Sequence, residues 1–409
     1  MKVDTVRAID RIVGVPLCAL ATLLRRARLV GARPPAGPPR RALFIELSEM
    51  GSAVLSDPAM RALRRATGAE LYFVIFERNR DSLDLLSTVA PENVFTIRGD
   101  RFGHLAIDTL RFVRWARRRG IDTAVDLELF SRYSALLSLL SGAGRRVGFH
   151  RFYAEGLYRG ELLTHPVLYN PHQHIAKNFL ALVRALLAPA PEVPYSKTHI
   201  ADSEIVLEKA VVDPGVVDAM RRRIAASCAA YHGDGQRVVL INANASALLP
   251  QRRWPQDRYA RLAEQILAEY PHVVVLLTGA AEEREELEGL QRSVNDPRCA
   301  SLAGQTAIRE LPALFALSSA LVTNDSGLAQ FAGASNLPVF VLFGPETPTL
   351  YLPLGNATPI TAGLACSPCV AAANHRRTPC TDNRCLQAIE VEQVLGILRA
   401  NVGERLAGG

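Results

Sequence analysis

Residues 318–351 read SSALVTNDSGLAQFAGASNLPVFVLFGPETPTLY. The stretch parses as strand, tight turn, short helix, strand and loop. Residues 320–322 are an apolar run suited to a buried strand. Asn324, Asp325 and Ser326 are residue types that cap helix N-termini, and Gly327 lets a backbone approach closely. Residues 328–334 are small and apolar, as a helix packed on a sheet is. Residues 337–343 form a second buried strand, closed by Gly344-Pro345. A helix that starts at the carboxyl end of a parallel strand can hold an anion. A capped βαβ unit with no ligand is the plainer alternative.

Outward from this stretch the same grammar repeats. Strands are predicted at 238–242 and 273–278, with helices at 257–270, 282–292 and 391–400. Further back, strands at 42–47, 71–76, 94–97, 123–127 and 146–149 alternate with helices at 53–65, 82–89, 102–119 and 131–140. Such alternation predicts parallel sheets covered by helices on both faces. The chain has 409 residues and is 49% hydrophobic, enough for two domains with sizeable cores. The Pro-rich run at 188–194 is the clearest internal linker. The expected division is 1–40 as a basic helix and linker, 41–190 as one domain, 191–235 as a connecting segment and 236–409 as a second domain.

Residues 1–40 carry eight Lys or Arg and two acids, a net +6 out of the chain's +7. The folded remainder is nearly neutral, so a nucleic-acid partner is not expected. Ile9, Ile12, Val13, Leu17, Leu20, Leu23 and Leu24 recur at helical spacing, with Arg7, Arg11, Arg25, Arg26 and Arg28 at the edges. The apolar run is too short to span a bilayer, and no signal-peptide cleavage pattern follows it. A helix over 1–33 lying on the membrane surface fits, with docking on the protein's own surface as the alternative. Pro16 kinks it either way.

Three loops follow strands of the second domain. They carry Asn242, Asn244, Ser246, Arg252 and Arg253; then Glu282 and Glu283; then Asn324, Asp325, Ser326 and Gly327. In a doubly wound sheet such loops converge. Guanidinium groups for phosphates and acids for ribose hydroxyls suit a nucleotide diphosphate. Solvated arginines and capping acids are the reading for each taken singly.

The order Thr323-Asn324-Asp325-Ser326-Gly327, Leu337-Pro338-Val339 and Leu342-Phe343-Gly344-Pro345, with Arg252-Arg253-Trp254-Pro255 before it, resembles family 9 glycosyltransferases, the ADP-heptose:lipopolysaccharide heptosyltransferases. The resemblance runs over roughly residues 40–400. It implies the α/β GT-B fold, two Rossmann-like doubly wound parallel-sheet domains facing a cleft, with the acceptor on the first and the donor on the second. It also implies an inverting transfer needing no metal, from an ADP-heptose-like nucleotide-diphosphate sugar to a lipid-linked or lipopolysaccharide-like acceptor. Arg252 and Arg253 take the leaving diphosphate on this reading, Glu282 or Glu283 the ribose, and Asn244 and the 324–327 turn complete the donor site. The setting implied is cytoplasmic, peripheral on the inner face of the cell membrane.

One position departs from the pattern. The family has Gly-Asp where this chain has Gly51-Ser52, and that Asp is the expected base. Glu49 is the nearest carboxylate on the loop and the chosen replacement, assisted by Ser52; Glu46, Asp57 and Asp126 are further candidates. Gly51, Glu128, Arg132, His172 and His174 are assigned to acceptor binding, with capping or surface roles as the alternative for the histidines. A non-catalytic sugar-binding protein and a nucleotide-sugar epimerase are the rival functions. Finally, Cys366, Cys369, Cys380 and Cys385 crowd one segment around His375. Structural zinc, disulfides and reduced core thiols are the readings for them, none part of the chemistry.

Overall fold

The computed structural model describes residues 3–33, 35–153, 155–233, 235–245, 249–372 and 376–408. They divide into two compact units, one running through Val206 and including Ala372, the other from Leu207 onward. The Pro-rich run at 188–194 therefore lies inside the first unit.

The first unit opens with α1 (Val3–Ile12) and α2 (Gly14–Arg26). Its strands are β1 (Arg41–Ile45), β2 (Glu70–Phe76), β3 (Val94–Ile97), β4 (Thr123–Asp126), β5 (Arg145–Phe149) and β6 (His165–Val167). Between and after them run α3 (Met50–Leu55), α4 (Asp57–Thr67), α5 (Phe102–Arg119), α6 (Arg132–Leu140) and α7 (Ile175–Leu187). In the second unit the strands are β7 (Arg237–Asn242), β8 (Val273–Leu277), β9 (Cys299–Ser301), β10 (Ala320–Asn324), β11 (Val339–Leu342) and β12 (Ala357–Ile360). Its helices are α8 (Pro214–Ser227), α9 (Gln256–Glu269), α10 (Arg284–Val294), α11 (Leu311–Ala316), α12 (Gly327–Ala332), α13 (Pro348–Tyr351), α14 (Arg384–Gln387) and α15 (Val391–Ala407).

Both sheets are parallel throughout and follow one plan. The first is ordered β3-β2-β1-β4-β5-β6 and the second β12-β11-β10-β7-β8-β9, the same sequence of steps in each. In such a sheet the strand order reverses between the first and fourth strands of the unit, and ligands bind beyond the carboxyl ends there. The reversal falls between β1 and β4, where Ile45 pairs with Asp126, and between β7 and β10, where Asn242 pairs with Thr323. The strands are apolar on both faces because helices cover both: Phe44, Val74, Val239, Val275 and Val322 are wholly buried.

The elements differ from the sequence expectation at edges and breaks. Strands β6, β9 and β12 end their sheets or sit on an edge and are three or four residues long, too short to register as apolar runs. The helix expected at 82–89 is instead a 3-10 segment, Glu77–Asp84. The expected helix at 53–65 is two helices meeting at Ser56, because Pro58 has no N–H to carry the first one through. Pro16 acts likewise: it cannot donate to Ile12, and the N-terminal helix breaks at Val13.

Candidate functional site

In the second unit, the loop after β7 is drawn onto the loop after β10. The Asn324 carboxamide accepts from the Trp254 backbone N–H at 2.9 Å and donates to the Ala243 carbonyl at 3.1 Å. Trp254 is buried beneath, edge-on to Tyr259 at 4.8 Å, and its indole N–H donates to the Ile389 carbonyl. Burying an aromatic side chain of this size stabilises the loop by about 3 kcal/mol. Thus Trp254 anchors the loop and sets the two arginines before it at the switch point.

Arg252 Nη1 meets Asp325 Oδ2 at 3.2 Å, with both side chains largely buried. Its Nε is buried and has no partner among the described residues. Asp325 therefore holds an arginine in place, which resolves the oddity of an acid beside an expected diphosphate. Asn244 is 2% exposed, and its side chain meets the Glu283 carboxylate, which it helps hold down against burial. Ser326 Oγ sits 3.2 Å from Thr323 Oγ1 and 3.4 Å from Asn242 Oδ1. A Cβ placed on Gly327 meets nothing within 4 Å, so the turn borders open space. Helix α12 has six residues and starts one residue before the expected 328–334 helix.

The remaining donor candidates divide. Arg253 folds back onto the Ala245 carbonyl at 3.0 and 3.2 Å. Glu283 accepts from the Ala280 N–H at 2.7 Å, and burial pushes its carboxyl above the usual range. Glu282 is exposed. Ser246 lies outside the described residues.

The cysteine-bearing segment has a part in this site that its sequence does not advertise. The Asn383 amide donates to the Arg253 carbonyl at 2.9 Å and the Gln251 carbonyl at 3.3 Å, while Gln251 donates to the Cys380 carbonyl at 3.0 Å. A Cβ on Gly344 would come within 2.9 Å of Cys385 Sγ, so glycine lets this segment pass close to the strand end. Cys366 and Cys369 are exposed, Cys380 half-buried and Cys385 buried, all as free thiols. Among the described residues no three His, Cys, Asp or Glu side chains group as metal ligands, and His375 lies outside them.

The matching end of the first unit is acidic. Glu128 Oε1 accepts from the Leu47 N–H at 2.8 Å, the Ser48 N–H at 3.0 Å and the Ser48 hydroxyl at 2.9 Å. The Glu49 N–H donates to Glu46 Oε1 at 3.3 Å, and Ser52 Oγ donates to Glu49 Oε2 at 3.2 Å. Burial pushes Glu46 well above the usual carboxylate range, with Glu128 and Glu49 adding like charge. Burial likewise raises Glu128 to about 7, even against its three donors. Gly51 lies within α3, half-buried beside Ser52.

Other expected first-unit residues are engaged within the protein. Asp126 is fully buried against Arg159 and accepts from Ser134 Oγ at 3.1 Å; burial pushes its carboxyl up while the guanidinium holds it back. Arg132, nearly buried, pairs with Asp10 of α1 at 3.0 Å and donates to the Tyr158 carbonyl. His174 Nδ1 accepts from the Ala176 N–H at 3.2 Å and caps α7, the alternative foreseen for it. His172 is exposed. Sequence reasoning missed Arg159, Asp10 and Asn383, because each acts through a partner distant in the chain.

The chain matches the family model of glycosyltransferase family 9 (heptosyltransferase) over residues 110–378. It is 38% identical over 110 residues to lipopolysaccharide heptosyltransferase 2 of Escherichia coli, an alignment covering 26% of this chain and 31% of that protein. With lipooligosaccharide heptosyltransferase 2 of Haemophilus influenzae it shares 33% over 129 residues, 31% of this chain and 37% of the relative. The alignments thus span about a third of the length of these curated relatives. The solved structure of the E. coli ADP-heptose LPS heptosyltransferase II superposes with a TM-score of 0.68 over 89% of this chain and 99% of that one, at 22% identity, a likeness of fold. Two parallel sheets built to one plan have the GT-B architecture, and the chain belongs to glycosyltransferase family 9.

Proposed function

We propose that this protein transfers a heptose from ADP-heptose to a lipopolysaccharide-type glycolipid acceptor at the cytoplasmic face of the cell membrane. The observation that carries the reading is Arg252, held by Asp325 at the β7/β10 switch point with its Nε buried and unpartnered. Family membership supplies the class of chemistry, and the names of the relatives suggest the sugar and the acceptor.

The reaction we infer is inverting and uses no metal. An acceptor hydroxyl attacks the anomeric carbon from the side opposite the diphosphate. Its proton passes to Glu49, the bond from the anomeric carbon to the diphosphate oxygen breaks, and ADP leaves with the electron pair. Arg252 faces the charge that grows on the departing diphosphate, a stabilisation largest in the transition state. Ser52 stands where the family carries an acid, and its hydroxyl bond to Glu49 keeps a carboxylate in that loop. This argues for a catalyst over a protein that only binds the sugar. Asp126, sealed behind Arg159, is the weaker choice of base.

The test pairs calorimetry with turnover. ADP should bind the wild type, and Arg252→Ala should weaken it by roughly 10- to 100-fold. Glu49→Gln should cut transfer from ADP-heptose by about 100-fold or more while leaving ADP affinity within a few fold. ADP binding without any transfer or hydrolysis would instead support the non-catalytic rival. Turnover of the donor without an acceptor would support the epimerase.

A further inference from the structure

The N-terminal helices dock in an unusual sense. The face of α2 that meets the protein is small or polar: Gly14, Cys18 and Thr22 are its buried residues, each four apart. A Cβ on Gly14 would come within 2.8 Å of Arg132 Cβ, and one on Gly160 would reach Thr22 Oγ1 at 2.6 Å. Thr22 Oγ1 accepts from the Glu161 N–H at 2.9 Å, and Arg26 pairs with the Glu161 carboxylate. From α1, Asp10 caps α6 by accepting from the Arg132 and Tyr133 N–H groups at 2.9 and 3.1 Å.

The large apolar side chains point the other way. Ile12 is 66% exposed, Leu20 52%, Leu23 62% and Leu29 72%. Leu17 joins them at 45%. An amphipathic helix that served only its own domain would bury these and leave the threonine outside. Arg11, Arg28 and Arg33 are exposed in the same segment, which holds nearly all of the chain's net positive charge.

We propose that the outer face of α1 and α2 is a docking surface for an anionic lipid bilayer. Exposed apolar side chains in a segment rich in exposed arginines complement a surface whose interior is hydrocarbon and whose headgroups are negative. Helix α2 has 13 residues, about 20 Å, so it lies in the interface and does not cross it. No helix among the described residues is long and apolar enough to span a membrane. The latch through Asp10, Thr22 and Arg26 orders the helices beforehand, so docking does not spend binding energy on folding them. This inference stands on the helices alone, whatever sugar the second unit takes.

Flotation of the full chain with phosphatidylethanolamine–phosphatidylglycerol vesicles tests it. The wild type should float, and should do so roughly tenfold less well with phosphatidylcholine vesicles or in high salt. The triple variant Leu17→Ser/Leu20→Ser/Leu23→Ser should lose flotation by about tenfold or more. Its side chains face solvent, so its Tm and ADP affinity should match the wild type. The pair Arg11→Gln/Arg28→Gln should weaken binding to the anionic vesicles and leave binding to the neutral ones unchanged. Unchanged flotation of the triple variant overturns the proposal. So does a wild type that light scattering finds dimeric, a variant that is monomeric and no flotation of either, since the face then meets a second copy. Loss of transfer activity with flotation intact would count against the proposed function only.

Discussion

At the residue scale, the first unit's site is a contest between burial and charge. Glu46 and Glu128 stand at the ends of neighbouring strands, and both carboxyls are raised, chiefly by burial. In the folded chain they keep protons that the unfolded chain has given up above the ordinary value of 4.5. Their contribution to stability is therefore complete below that pH and drains away as pH rises through Glu128's value of about 7. Glu46→Gln has the shape of the protonated acid and does not ionise. It should unfold at a higher temperature than the wild type at pH 8 and at nearly the same temperature at pH 4. Calorimetric melts at the two pH values check this, and a gain at pH 4 equal to that at pH 8 would refute it. The acids themselves were legible from sequence, since they end predicted strands. Their protonation was not, because it follows from how two loops close over each other.

Elements explain how the arginine loop is held. Trp254 holds it from below, and the segment before α14 holds it from the side through Asn383. Asn383 has φ 33°, a left-handed conformation that glycine also accepts easily. Asn383→Gly therefore removes the amide without adding backbone strain. It should raise the Kd for ADP about 3- to 10-fold by loosening Arg252, a loss on the order of 1 kcal/mol. Titration calorimetry checks it, and an unchanged Kd would show that Trp254 alone suffices. The Arg252-Arg253-Trp254 and Asn324-Asp325 motifs were legible because each is local and follows a strand. Asn383 was not, since its partners lie 130 and 132 residues away and its own neighbours carry no periodic pattern. Short edge strands escaped for a related reason: three residues bury too little to leave a signature.

For the molecule as a whole, the N-terminal helices belong to the first unit's structure and are not an appendage to it. Removing residues 1–33 takes Asp10 from the N-terminus of α6 and leaves the nearly buried Arg132 without its ion pair. It also uncovers the patch formed by Ala135, Leu139 and Leu162 under Cys18. Stripping one partner from a buried ion pair costs about 3–5 kcal/mol, so the truncated chain should melt roughly 10 °C lower. A melt unchanged by truncation would mean that the latch contributes nothing to stability. The two parallel sheets were legible from alternation alone, whereas the inverted docking of α2 was not. Periodicity gives the face on which the leucines lie, but not which way that face looks.

The latch also sets a schedule. Arg26 meets Glu161 across 135 residues of chain. At about 5–20 residues per second, synthesis leaves the helices without their seat for roughly seven to twenty-seven seconds. During that interval the leucine stripe and the arginines are already outside the ribosome, while the surface that will receive their polar side does not yet exist. On the proposed docking, the face meant for lipid is therefore presented before its polar seat exists.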